Sequence, residues 1–151
     1  MSQTSPTITS LDRDAIRTTF AVAAANPQAT SARFYTNLFK LDPSLRALFH
    51  GDMSNQGEKL MSMLGFIVSH LEKLDLLLPT VRQLGQRHAG YGVQAAHYAT
   101  VGQALMEALK QQAGAAWTAG ADTAWQKAYQ LLSDNMIAAA QVPGVTSQQI
   151  K

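Results

Sequence analysis

Apolar residues recur at intervals of three and four along almost the whole of this chain. Strict alternation, the mark of a half-buried strand, is absent, as are hairpin dipeptides such as Asn-Gly. The chain is therefore expected to be all helix. A first helix is predicted over about Leu11 to Ala25, capped by Ser10, with Asp12 and Asp14 at its positive end. Asn26-Pro27 closes it. A second, about Pro27 to Lys40, gathers Phe34, Tyr35, Leu38 and Phe39 on one face, and Pro43 to Phe49 form a short helical turn. His50-Gly51-Asp52-Met53-Ser54 is loop by composition.

The next helix, about Asn55 to Lys73, carries a stripe of Gln56, Leu60, Met63, Leu64, Ile67 and Leu71, so a polar residue begins an otherwise apolar face. A helix from Pro79 to Ala89 follows, with Pro79 in its first turn and Gly90 as its C-terminal cap. Two long helices complete the chain. One runs from about Ala95 to Gln112 with Tyr98, Val101, Leu105 and Leu109 inward, the other from about Thr118 to Ala140 with Trp125, Tyr129, Leu132 and Met136 inward. Pro143-Gly144 ends the order. Residues 1–10 and 142–151 are expected to be tails around one domain, 11–141.

His88 ends the run Leu84-Gly85-Gln86-Arg87-His88 and shares an apolar face with Val81 and Leu84. An imidazole in that place wants a partner. Spacing alone leaves two readings open, a core histidine satisfied by a backbone carbonyl and an axial ligand of haem iron. Unequal helices, one with an inward histidine and an earlier one with an inward polar residue, are what a haem pocket between crossed helices requires. A last-turn histidine can also donate its second ring N–H to the carbonyl four residues back, here Leu84, which fixes its tautomer and ring plane.

The 151 residues fit one domain, which buries roughly 70% of its unfolded-chain surface and has room for an enclosed ligand. Charge excludes one class of partner. Twelve basic and ten acidic residues are scattered singly and leave a net +2, so no nucleic-acid footprint is expected. The absence of cysteine excludes disulfides, thiolate catalysis, thiolate-ligated haem, iron–sulfur clusters and covalent haem attachment through Cys-x-x-Cys-His. The first ten residues are polar, with no basic start or apolar h-region, so no signal peptide is read and the cytoplasm is the expected location. No membrane span is expected, since no apolar stretch approaches ~20 residues.

Six segments occur in a telling order. They are Phe34-Tyr35-x-Asn37-Leu38-Phe39, Pro43-x-x-x-x-Leu48-Phe49, Gln56-x-x-Lys59-Leu60-Met61, Leu84-Gly85-x-Arg87-His88-x-x-Tyr91-Gly92-Val93, Tyr98-x-x-Val101-Gly102 and Ala124-Trp125-x-x-x-Tyr129. Together, over about Leu11 to Ala140, the chain resembles the globins, and specifically the bacterial single-domain globins close to the haem domain of flavohaemoglobins. The resemblance implies an all-α globin fold, a three-over-three helical sandwich enclosing one non-covalent b-type haem. It implies His88 as the proximal metal ligand and Phe49 as the ring on the haem edge. It further implies Tyr35 and Gln56 as the distal, ligand-stabilising residues, Leu60 crowding the sixth coordination site and Lys59 at a propionate. Leu84, Val93 and Tyr98 would lie around the cofactor.

Each assignment has a plainer alternative. Phe49 could simply pack in the core, Tyr35 could bond a backbone carbonyl, and Lys59 and Arg87 could be solvated surface residues. His70 and His97 read as surface or helix-end residues and His50 lies in a loop, so permanent bis-histidine iron is not expected. Trp117 and Trp125 read as packing.

The resemblance implies two functions of different class. One is reversible dioxygen binding for storage, delivery or scavenging; the other is nitric oxide dioxygenation, giving nitrate, with carbon monoxide as a further ligand. Sequence ending at Lys151 lacks the flavin and nicotinamide domains of flavohaemoglobins, so turnover is expected to need an external NAD(P)H-dependent reductase. A haem-based gas sensor is a third reading and would need a partner for output. Tyr98 matches the proximal tyrosine of the flavohaemoglobins, but the region near Ala140 has no carboxylate to match their glutamate, which implies a weaker proximal push.

Overall fold

The three-four periodicity is realised as six α-helices: α1 (Ser10–Ala24), α2 (Pro27–Leu41), α3 (Met53–Ser69), α4 (Leu74–Gly90), α5 (His97–Ala113) and α6 (Ala119–Ala140). The structure, a computed structural model, describes residues 7–49 and 51–141, and no strand occurs among them. Short 3-10 turns at Pro43–Leu48 and Gly114–Ala116 join α2 to the α3 side and α5 to α6.

Local chemistry sets the helix starts. Thr9, not Ser10, caps α1: its hydroxyl accepts from the Asp12 N–H at 3.1 Å while the Asp12 carboxylate accepts from the Thr9 N–H at 3.0 Å. Both residues carry a hydroxyl, but only Thr9 has an acidic residue three positions on to complete the reciprocal pair. Ile8, just before the cap, is buried in the core. Of the tails expected at 1–10 and 142–151, residues 1–6 and all of 142–151 lie outside the described residues. Asn26 caps α2 by accepting from the Ala29 N–H at 3.2 Å, and Pro27 occupies the first helical position.

Two helices depart from the predicted bounds. α3 begins at Met53, where the Asp52 carboxylate accepts from the Ser54 N–H, and ends at Ser69, four residues before Lys73. Its most buried line is Gly57, Met61, Leu64 and Val68, one position round from the predicted stripe, because α3 presses on α2 at Gly57 and Ser31. α4 begins at Leu74, so Pro79 lies inside the helix rather than opening it. Pro79 is the sixth helical residue, in the second turn, so it forfeits the bond its N–H would make to the Asp75 carbonyl, a cost that tertiary packing must offset. Leu77, fully buried, supplies the packing that extends the helix backwards.

α4 lies along α6, α2 crosses α5 and α3, and α1 rests on α6 and α5. The main core gathers Ile16, Phe34, Leu38, Leu64, Leu105 and Trp125. A second cluster, Leu77, Val81, Tyr98 and Met136 with Leu84 and Val93 against it, sits between α4, α5 and α6. Each such side chain contributes about 1.5–3 kcal/mol on burial.

Candidate functional site

His88 stands in the last turn of α4 and is half-buried. The end of that helix is closed by two backbone bonds. The Gly92 N–H donates to the Ala89 carbonyl at 3.1 Å and the Val93 N–H to the His88 carbonyl at 3.0 Å, with Gly92 at φ +97°. This is a Schellman closure, and its left-handed residue is Gly92, not the predicted Gly90, because the helix runs through Gly90 and Tyr91 becomes the C-cap. The closure turns Val93 back into the cluster that holds Leu84 and Tyr98.

The His88 ring has a buried Nδ1 with no hydrogen-bond partner. The predicted bond to the Leu84 carbonyl is therefore not formed with hydrogen-bond geometry, although that carbonyl lies near enough to favour the protonated ring. Burial outweighs it and, with a smaller push from Arg87, holds the imidazole below the usual histidine range. The ring is neutral at pH 7 and keeps a lone pair. Tyr98, also buried, has its hydroxyl pushed above the usual tyrosine range by desolvation.

Tyr35 anchors the opposite group. Its ring is boxed by Phe34, Phe39 and Phe49, with centroids at 4.9, 6.0 and 5.4 Å. Burial pushes its hydroxyl up to about 12, and among the described residues that hydroxyl has no hydrogen-bond partner. The carbonyl-bound phenol that the sequence left open is not formed. α3 passes directly over the ring, so that a Cβ on Gly57 would lie 4.0 Å from it and 2.6 Å from the Ser31 Oγ. Gln56 adjoins that crossing and Leu60 follows one turn later, both half-buried. Lys59 and Arg87 are exposed.

Two sets of predicted residues are thus assembled, Tyr35 with Phe49 beneath the start of α3, and Leu84, Val93 and Tyr98 around the end of α4. They approach each other at Leu48 and Gly92, where a Cβ on the glycine would lie 3.5 Å from the leucine side chain. Sequence reasoning missed Leu48 and Gly92 as the meeting point; only the Gly in Tyr91-Gly92-Val93 signalled a turn. His70 ends α3 and His97 opens α5, while His50 lies outside the described residues. No group of three or more His, Cys, Asp or Glu that could hold an ion occurs among the described residues. A single neutral imidazole suits a metal that brings its other ligands with it, as haem iron does. No described helix is long and apolar enough to cross a membrane.

Comparison with known proteins identifies the fold and the family. The globin family model matches residues 32–136. A flavohemoprotein from Bordetella parapertussis is 30% identical over 128 residues, which cover 83% of this chain and 32% of that protein. The chain thus spans about a third of that relative's length. Among solved structures, an engineered carbene transferase, a candidate nitric oxide dioxygenase from Rhodothermus marinus, superposes with a TM-score of 0.78 at 28% identity, covering 89% of this chain and 94% of that one. Aplysia limacina myoglobin has the same fold, with a TM-score of 0.78 at 22% identity over 88% of this chain and 98% of its own. The all-helical, three-over-three arrangement is the globin fold, and the chain belongs to the globin family, as a haem globin of the general kind.

Proposed function

We propose that this chain holds b-type haem non-covalently through His88 and binds dioxygen reversibly against Tyr35 and Gln56. The observation that carries the reading is Tyr35, a buried ring set among Phe34, Phe39 and Phe49 whose hydroxyl burial keeps protonated and which donates to no described residue.

When bound, haem supplies an iron with a coordination position open to a diatomic ligand. His88 offers the neutral imidazole on the proximal side, and the Schellman closure with the Leu84, Val93 and Tyr98 packing restrains its helix end. Tyr35 would donate its O–H to a bound diatomic ligand, and Gln56 would donate beside it or orient the phenol. With the cofactor bound, Leu60 would limit the space for the ligand, Phe49 would pack against the cofactor and Lys59 would pair with a carboxylate of it. Dioxygen draws negative charge on binding, so each donor adds about 1.5–3 kcal/mol, a tenfold or greater slowing of release. Carbon monoxide, which draws less charge, gains less.

A second reading, conversion of nitric oxide and dioxygen to nitrate, is favoured by the likeness to flavohemoproteins and to the Rhodothermus marinus protein. The donors that hold dioxygen also polarise it for attack. The proposed partner is an NAD(P)H-dependent reductase, and the proposed setting is the cytoplasm. The last turn of α6 carries only alanines and Ile137 beside Tyr98's side of the fold, so a carboxylate does not raise the basicity of His88 from there.

Stopped-flow mixing of the dioxygen-loaded protein with nitric oxide tests both readings, first alone and then with a reductase and NADH. Stoichiometric conversion that ends after one event supports binding as the main activity. Sustained nitrate formation supports the enzyme. Failure of the protein to take up haem would overturn both.

A further inference from the structure

α2 crosses one side of α5, where the Asn37 Nδ2–H donates to the Ala104 carbonyl at 3.3 Å and the Arg33 Nε–H to the Gln112 side-chain carbonyl. The opposite side of α5 faces solvent and forms one wall of a groove of about 570 Å³ between α5 and α6. Ala99, Gln103, Glu107 and Lys110 line the α5 wall, Gln126 and Gln130 line the α6 wall, and all six are exposed. The floor is Gly102 and the Tyr129 ring, so close that a Cβ on the glycine would lie 2.5 Å from the ring. No side chain rises from the floor at Gly102, and the groove stays open there.

Charge on the α5 wall is confined to two residues. No Asp, Glu, Lys or Arg occurs from Ala89 to Met106, and Glu107 and Lys110 are the only such residues in α5. They stand three apart on one helix face, yet neither forms an ion pair with any described residue. The third charge in the groove, Asp122, already accepts from the Gln126 side-chain amide at 3.0 Å. An acid and a base are thus left exposed side by side on an otherwise uncharged wall.

We propose that this face binds a second copy of the chain, with α5 antiparallel to the α5 of that copy. Residues three apart lie ~4.5 Å apart along a helix axis. A half-turn about an axis midway between Glu107 and Lys110 reverses their order, so each glutamate meets the lysine of the other copy. One symmetry operation therefore makes two ion pairs. A parallel copy would set like against like, and a partner of single charge sign would oppose one residue of the pair with its own kind. Ala99, Gly102 and Gln103 extend the contact with small or uncharged groups, as interface centres do. α5 is 17 residues long, so with α6 beside it the face measures ~25 by 20 Å, about 500 Å² per copy. Stable interfaces bury about 800 Å² per partner, so the dimer is a weak one, half-formed at roughly 0.1 mM. Because α2 lies on the other side of α5, association leaves the Tyr35 side of the fold uncovered.

Sedimentation equilibrium of the purified chain, with any cofactor it carries, tests this from ~10 μM to ~1 mM. Wild type is expected to pass from monomer to dimer across that range. Lys110→Glu and Glu107→Lys should each weaken association about tenfold or more, since each turns two attractive pairs into two repulsive ones. Both side chains are exposed, so the fold should survive, and circular dichroism checks that it does. Mixed in equal amounts, the two variants bring acid to base at both positions and should associate as wild type does. The double variant, with the charges exchanged, should also recover association. A wild type that stays monomeric throughout overturns the proposal. So does a dimer indifferent to both single variants, which would use another face, or a mixture that associates no better than its components.

Discussion

Gly85 on α4 meets the backbone of α6 so closely that a Cβ at this position would lie 2.6 Å from the Met136 Cα. Two helices can come this near only where one lacks a side chain. The crossing lies three residues before His88, so it fixes where the histidine stands relative to α6. Gly85→Ala should force α4 outward at a cost of about 1–3 kcal/mol. The expected result is a lower urea midpoint in the apoprotein and faster haem transfer from the holoprotein to an acceptor globin. An unchanged midpoint would show that the two helices can separate without cost.

The end of the same helix offers a paired experiment. Gly92 adopts φ +97°, whereas Gly90 is helical and a Cβ there would meet nothing within 4 Å. Alanine at position 90 should stabilise by about 0.5–1 kcal/mol, because it lowers the entropy lost by a helical glycine. Alanine at position 92 should destabilise by about 1–2 kcal/mol, because an L side chain is strained there. Thermal denaturation of the two variants should therefore move in opposite directions. Equal shifts would place the closure elsewhere.

This contrast also shows why the sequence was legible in some places and not in others. Periodicity located the six long helices and the burial of Tyr35 and Tyr98, since a stripe of apolar residues depends on helix geometry alone. Thr9 and Ser10 are both good caps, and only the carboxylate of Asp12 decides between them. Pro79 was misleading because proline opens helices more often than it sits within them, while Leu74 and Leu77 gain their place from contacts with distant residues. The shift of the α3 stripe has the same origin, the tertiary contact of Gly57 with Ser31. The orphaned Nδ1 of His88 was not legible at all. Spacing puts the Leu84 carbonyl within range, but the bond depends on ring rotation that spacing does not encode.

Alkaline stability should follow the buried phenols. Burial raises the hydroxyls of Tyr35, Tyr98 and Tyr129 above the ordinary value of 10.0, Tyr35 to about 12. The folded chain then holds more protons than the unfolded chain in the window between those values, so stability falls as pH rises through it. The contribution is fully present below pH 10 and is lost towards pH 12. Circular dichroism across that range should show base unfolding that is less steep in Tyr35→Phe. Stability that stays flat through the window would mean that the phenolates are solvated in the folded state.

Tyr35→Phe also separates the role of the hydroxyl from that of the ring. The phenylalanine ring keeps the contacts with Phe34, Phe39 and Phe49, so the fold should survive, and removal of a hydroxyl that bonds no described residue should leave apoprotein stability near neutral pH close to unchanged. Ligand release should respond differently. Loss of a donor to a charged acceptor removes about 1.5–3 kcal/mol, so dioxygen should dissociate roughly ten times faster or more. Carbon monoxide, with less charge to stabilise, should change far less. Stopped-flow displacement of dioxygen by carbon monoxide measures the first rate, and displacement of carbon monoxide by nitric oxide the second. An unchanged dioxygen rate would remove Tyr35 from ligand stabilisation and leave Gln56 as the donor to test.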